Sequence, residues 1–213
     1  MAEEISDAQH RRLFNIDFGP WLPDERSGQV GPAVIGREGD AWNIVGIPWS
    51  NHHRVNRMVY ANGDSATLQV EMKNLGGAWS SKGQMGVKSP MLDCYHYPMN
   101  NQGGDSQAIL HRVNPGRYAL YVYGHGAYAN YYGDYEVSVG KRNYGRKQTA
   151  ADQKAVVADE WTENLHFVKF PVIEVAYEES IEIYIRPGGE IVDPHGRRIR
   201  DAMICGVQLL PLA

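Results

Sequence analysis

A chain of 213 residues with a formal net charge of -4 lacks the basic excess of a nucleic-acid binder, which argues against that class of partner. Its 43% hydrophobic content supports a sizeable core, yet no run approaches the roughly 20 apolar residues of a membrane-spanning helix. The acidic start Met1-Ala2-Glu3-Glu4-Ile5 lacks the basic-then-apolar layout of a secretory leader. Two expectations follow: an intracellular protein, or an extracellular or periplasmic one whose leader has been removed.

In chain order, residues 1–13 read as a polar, helical lead with Ser6 placed to cap it. Residues 14–18 alternate, with Phe14, Ile16 and Phe18 expected inward and Asn15 and Asp17 outward. A loop with several prolines follows, then the short apolar segment 33–36 and a Gly39-Asp40 turn before Trp42. Residues 47–54, including Trp49, read as an irregular polar loop. Asn62-Gly63 between two alternating runs is a hairpin signal. Residues 74–88 are rich in Gly and Ser and read as a long exposed loop carrying Trp79. Strands are expected over 91–97 and 107–113.

The run Pro115-Gly116-Arg117-Tyr118-Ala119-Leu120-Tyr121-Val122-Tyr123 is a turn leading into a strand that is apolar on both faces, the mark of a central strand covered above and below. It ends on Gly124-His125-Gly126, read as flexible, uncrowded backbone at a sheet rim. Further strands are expected over 135–140, 165–175, 180–186 and 202–210. Between them lie a basic turn over 141–147, expected to be solvated, and a helix candidate over 149–159. Nine to eleven short strands with little helix predict an all-β fold: one antiparallel β-sandwich or jelly roll spanning residues 1–213, with a barrel as the second choice. Cys94 and Cys205 are read as two buried thiols, with one long-range disulfide as the alternative.

A family pattern is also present. Ile16-Asp17-Phe18-Gly19, then Gly39-Asp40-Ala41-Trp42-Asn43, then the Pro115 to Tyr123 run, then Ile204-x-Gly206-Val207-Gln208-Leu209 resemble the galactose-binding-like jelly-roll domains. These are β-sandwiches that occur as carbohydrate-binding modules and as appendages of larger extracellular bacterial proteins. The resemblance implies a non-catalytic domain that binds oligo- or polysaccharide. It also implies a structural Ca2+ near the first strands, with Asp17, Asp40 and Asn43, and Glu38 beside them, as oxygen donors suited to a hard cation. Against that stands a plainer reading, in which Asp40 and Asn43 fix a turn by side-chain hydrogen bonds.

The chain holds 13 Tyr and 5 Trp against 4 Phe, an inventory that suits sugar rings, since these residues pair an apolar face with a polar edge. The candidate ligand-binding residues are His125, Tyr128, Asn130, Tyr131, Tyr132 and Asp134 at the rim, with Trp49 and Trp79 as stacking surfaces. A structural or assembly role, with self-association through an edge strand, is the second reading. The third is a polysaccharide lyase or hydrolase. In it His125 and Tyr123 or Tyr131 act as base and acid, and Arg112 or Arg186 neutralises a uronate. No His-x-His pair of the cupin kind is present, and the adjacent His52 and His53 would point to opposite faces of a strand.

Overall fold

The computed structural model describes residues 4–19, 29–46, 52–80, 89–98, 106–124, 132–149, 160–186, 191–192, 196, 198–199 and 202–213. A single helical turn, α1 (Asp7–His10), opens it. The Ser6 hydroxyl accepts from the Gln9 backbone N–H and the Gln9 side chain reaches back to Ser6, so two orphan donors are satisfied reciprocally. The strands then run β1 (Phe14–Asp17), β2 (Asn43–Ile44), β3 (His52–Val55), β4 (Met58–Val59), β5 (Ser65–Ala66), β6 (Gln69–Lys73), β7 (Leu75–Ser80), β8 (Cys94–Pro98), β9 (Ser106–His111) and β10 (Gly116–Tyr123). After these come β11 (Asp134–Val139), β12 (Arg142–Gln148), β13 (Phe167–Val175), β14 (Ile181–Ile185), β15 (Ile191–Val192), β16 (Arg198–Ile199) and β17 (Gly206–Pro211).

Two sheets make the sandwich. One has the order β13-β10-β17-β1-β2 and the other β12-β11-β14-β9-β6-β3. The pairings within them are antiparallel, apart from the short β1–β2 contact. The all-β sandwich expected from strand spacing is the fold observed.

Strand β10 holds this architecture together. Tyr118, Leu120 and Val122 face the interior between the sheets, in one cluster with Val70, Leu110, Val137 and Ile183. Ala119, Tyr121 and Tyr123 face the other way, into a second cluster with Leu13, Ile35, Trp42, Met91 and Phe167. The two-sided alternation is borne out, and β10 lies between β13 and β17 as a central strand should. The second core forms because segment 29–42 and the paired β7 and β8 cover the outer face of the five-stranded sheet. Burying side chains such as Leu120 and Tyr121 contributes about 1.5–3 kcal/mol each before entropy is counted.

That cover explains several differences from the sequence reading. Asn15 and Asp17 point away from the main core, as expected, but both are fully buried. Asn15 joins a closed polar network in which Tyr123 Oη donates to Gln208 Oε1 at 2.5 Å and Gln208 Nε2 donates to Asn15 Oδ1 at 2.9 Å. Satisfied groups of this kind are tolerated in a core. Residues 52–55 form edge strand β3, and Trp79 lies on β7 rather than in an open loop. The basic stretch is edge strand β12, because Gly140, at φ 56°, turns the chain back one step earlier. Cys94 and Cys205 are both buried thiols. Residues 150–159 of the helix candidate lie outside the described residues.

Candidate functional site

The outer face of the six-stranded sheet is polar. Its inward alternates (Val70, Met72, Leu110, Val137, Ile183) fill the core, so period 2 aims the residues between them outward. The register aligns these outward residues into rows. One row crosses the whole sheet: His52 opposite Lys73, Lys73 opposite Gln107, Gln107 opposite Tyr184, Tyr184 opposite Glu136, and Glu136 opposite Arg146. At ~4.8 Å per strand the six side chains span about 24 Å. A second row runs from Arg54 through Glu71, Ile109 and Glu182 to Ser138.

Ion pairs and hydrogen bonds fix these side chains. Arg186 Nε donates to Glu136 Oε2 at 3.0 Å, and Asn143 Nδ2 to Glu136 Oε1 at 2.6 Å. The Arg186 guanidinium lies 5.0 Å from the centre of the Tyr184 ring, a cation–π arrangement. The Tyr184 hydroxyl donates to Glu182 Oε2 at 2.6 Å, which holds its proton on and raises its pKa. At the end of the face that carries residues 132–134, the buried Asp134 carboxylate takes a bidentate pair from Arg146 and a third hydrogen bond from Gln148 Nε2 at 2.7 Å. Hydrogen bonding to Asp134 raises the Arg146 pKa.

A tighter knot centres on Glu71, which is only 8% exposed. Its Oε1 is 2.6 Å from His52 Nε2 and 3.5 Å from Lys73 Nζ, and its Oε2 is 2.5 Å from His111 Nε2. Beyond the ring, His111 Nδ1 is 2.9 Å from Ser180 Oγ. Burial alone would push the Glu71 carboxyl up, but hydrogen bonds from His111 and His52, with the charge of Lys73, outweigh it and bring the pKa to about 2.

The predicted site residues separate. Asp134 stands at the edge of this face, engaged by Arg146 and Gln148. Tyr132, half-buried, bridges Ala202. Trp79 is on the other side of the molecule, its ring 5.6 Å from that of Tyr95 against the second core. His125, Tyr128, Asn130, Tyr131 and Trp49 lie outside the described residues. Tyr123 is fully buried with its hydroxyl on Gln208, so it is not placed to act on a substrate. Arg186 is engaged by Glu136.

Gly124 has a different role from the one expected, and Gly133 shares it. A Cβ on Gly124 would sit 1.8 Å from Tyr135 Oη, and one on Gly133 2.0 Å from the same atom. Tyr135 donates to Tyr123 O at 3.1 Å and also to Met203 O. The backbone at both ends of segment 125–132 is therefore crowded around one phenol, and glycine is needed for close approach.

Of the proposed calcium donors, Asp40 Oδ1 meets His10 Nε2 at 2.6 Å while Oδ2 accepts from the Arg37 N–H at 2.8 Å. Asn43 Nδ2 donates to Asn15 O and Val59 O, and its Oδ1 accepts from Val59 N–H, each at 2.8 Å. Asp17 Oδ2 accepts from Gln29 N–H at 2.9 Å. Asp40 thus fixes the 37–40 turn as the plainer reading has it, whereas Asn43 ties β1 to β4 instead of closing a turn. Among the described residues, no group of three or more His, Cys, Asp or Glu is arranged to hold a metal ion.

Sequence reasoning missed the polar face. Its signal was the alternation Gln69, Glu71, Lys73 and Glu182, Tyr184, Arg186, but only register shows that these meet. Compared with known proteins, the chain matches no family model, and no curated protein is detectably similar to it.

Proposed function

We propose that the chain is a glycan-binding β-sandwich, akin to the galactose-binding-like domains, and that it takes an oligo- or polysaccharide along the outer face of the six-stranded sheet. One observation carries this: the row His52-Lys73-Gln107-Tyr184-Glu136-Arg146 runs unbroken across that face. Sugars offer hydroxyls that pair with fixed carboxylates, amides and cations, and CH faces that lie on aromatic rings. The row supplies both, and its length suits several rings of a linear chain. His52, Tyr184, Glu136 and Arg146 are already held by hydrogen bonds, so little of their rotamer freedom is lost on binding. The rim residues Tyr128, Asn130 and Tyr131 extend the same reading from the sequence.

Affinity electrophoresis in gels containing different polysaccharides tests it. Retardation by at least one polysaccharide is expected, weakened about two- to twelvefold by Tyr184→Ala, a loss of the size that one stacking aromatic contributes. Absence of retardation on neutral, acidic and basic polysaccharides alike, or equal retardation of wild type and Tyr184→Ala, overturns it. In that case the structural or assembly role stands.

A further inference from the structure

The far end of the same face carries a second arrangement. Ser180 immediately precedes β14, and Ile181 pairs with Leu110, so Ser180 lies across from His111. It is six residues from Arg186, about 20 Å along the strand from the Asp134 end. Ser180 Oγ is 2.9 Å from His111 Nδ1, and His111 Nε2 is 2.5 Å from Glu71 Oε2. An ionised carboxylate only accepts, so the neutral ring carries its proton on Nε2 and presents Nδ1 as the acceptor for the Ser180 hydroxyl.

Hydroxyl, imidazole and carboxylate in that order form the connectivity of serine nucleophile sites, here with the two ring nitrogens exchanged. A cross-strand chain of hydrogen bonds would need no more than this to stabilise the sheet. Two features exceed that need. Glu71 is nearly buried yet held ionised between two imidazoles. Ser180 and His111 remain partly exposed, with the His111 side chain 22% accessible, so this end of the hydrogen-bonded chain borders solvent.

We infer that Ser180 is an acyl-accepting nucleophile, with His111 as its general base and Glu71 as the positioning residue, acting on small, unhindered esters. Ser180 Oγ bonds to the ester carbonyl carbon while its proton passes to His111 Nδ1. The carbon–alkoxide bond breaks, and the alkoxide leaves as the alcohol with that proton. Water, deprotonated by Nδ1, then adds to the acyl-serine and releases the carboxylic acid, restoring Ser180. The sum is ester plus water to acid plus alcohol.

The full chain is treated with a fluorophosphonate probe, the adduct is located by peptide mass spectrometry, and p-nitrophenyl acetate turnover is followed in parallel. An adduct on Ser180 is expected, with its rate of formation reduced at least tenfold in His111→Gln, since a positioned general base contributes about 100-fold or more. In Glu71→Gln, the downfield proton resonance of His111 Nε2–H should vanish and labelling should slow, with the circular-dichroism melt still cooperative. No adduct on Ser180 in the wild type, or equal labelling rates in wild type and His111→Gln, overturns the assignment. Should His111→Gln fail to fold, Ser180→Ala decides, because it removes a single half-exposed hydroxyl: ester turnover that persists in it overturns the assignment, and turnover lost with it supports the assignment.

Discussion

The hydroxyl of Tyr144 on β12 closes the backbone of Glu174 on β13. It accepts from the Glu174 N–H at 2.9 Å and is 3.3 Å from the Glu174 carbonyl oxygen, to which it donates. Arg142 Nη2 also donates to Glu174 O at 2.9 Å, and Lys147 Nζ donates to Lys169 O at 2.6 Å. Side chains from the edge of one sheet thus occupy backbone groups on the edge of the other, where an incoming strand would otherwise pair.

Tyr144→Phe should therefore expose the Glu174 peptide. The expected cost is about 1 kcal/mol in a urea midpoint, the net worth of a typical hydrogen bond, together with concentration-dependent association in sedimentation velocity. A variant that associates no more than the wild type at high concentration would show that this edge is guarded by something else.

His96 predicts a stability that depends on pH. The ring is fully buried, its Nε2 donates to Gly19 O at 3.0 Å, and its Nδ1 has no hydrogen-bond partner among the described residues. Burial lowers its pKa to about 4. The unfolded chain binds this proton near pH 6.5 and the folded chain does not, so stability is full above 6.5 and falls as pH drops toward 4. The loss should reach roughly 3 kcal/mol. Urea unfolding between pH 4.5 and 7 measures it, and His96→Asn should flatten that slope; an unchanged slope in the variant counts against His96 as its source.

Glu71 acts with the opposite chemistry at lower pH. Its depressed carboxyl contributes stability that is present above the unfolded value of about 4.3 and is lost as pH falls toward 2. Carbon-detected NMR should place the Glu71 midpoint near 2, below the roughly 4.3 of an unperturbed glutamate. A midpoint close to 4 would mean that His52 and His111 do not hold it in solution.

Gly133→Ala should destabilise by about 1–3 kcal/mol, the range for forcing extra carbon into a packed site. Its Cβ would meet Tyr135 Oη at 2.0 Å and Cζ at 2.4 Å. Thermal melts read the cost. A neutral outcome would require Tyr135 to have another low-energy position.

Much of the fold was legible because it rests on local periodicity. The two-sided run of residues 118–123 identifies a central strand without knowledge of its neighbours, and Asn62-Gly63 marks the β4–β5 turn, where Gly63 adopts φ 86°. What stayed hidden depends on contacts distant in sequence. Asp17 looks solvent-facing until segment 29–42 is laid over it. The Gly/Ser stretch that becomes β7 carries little strand propensity of its own and forms against β8, with Trp79 resting on Tyr95. The candidate site was hidden for the same reason, since Glu71, His111 and Ser180 are unremarkable apart and meet only through the β6–β9–β14 register.

Strand β17 lies between β10 and β1, pairing Leu209 with Leu120 on one side and with Phe14 on the other. Among the described residues, the ladder from β10 to β1 has no other bridge in this sheet. Its closure joins residue 14 to residue 209, a loop of nearly the whole chain, and loop closure of that length carries an entropic cost that must be met before native contacts offset it. Until residues 206–211 dock, β1 and β10 each present a raw hydrogen-bonding edge. The five-stranded sheet is therefore complete only when this late segment sits between two strands that precede it in the chain.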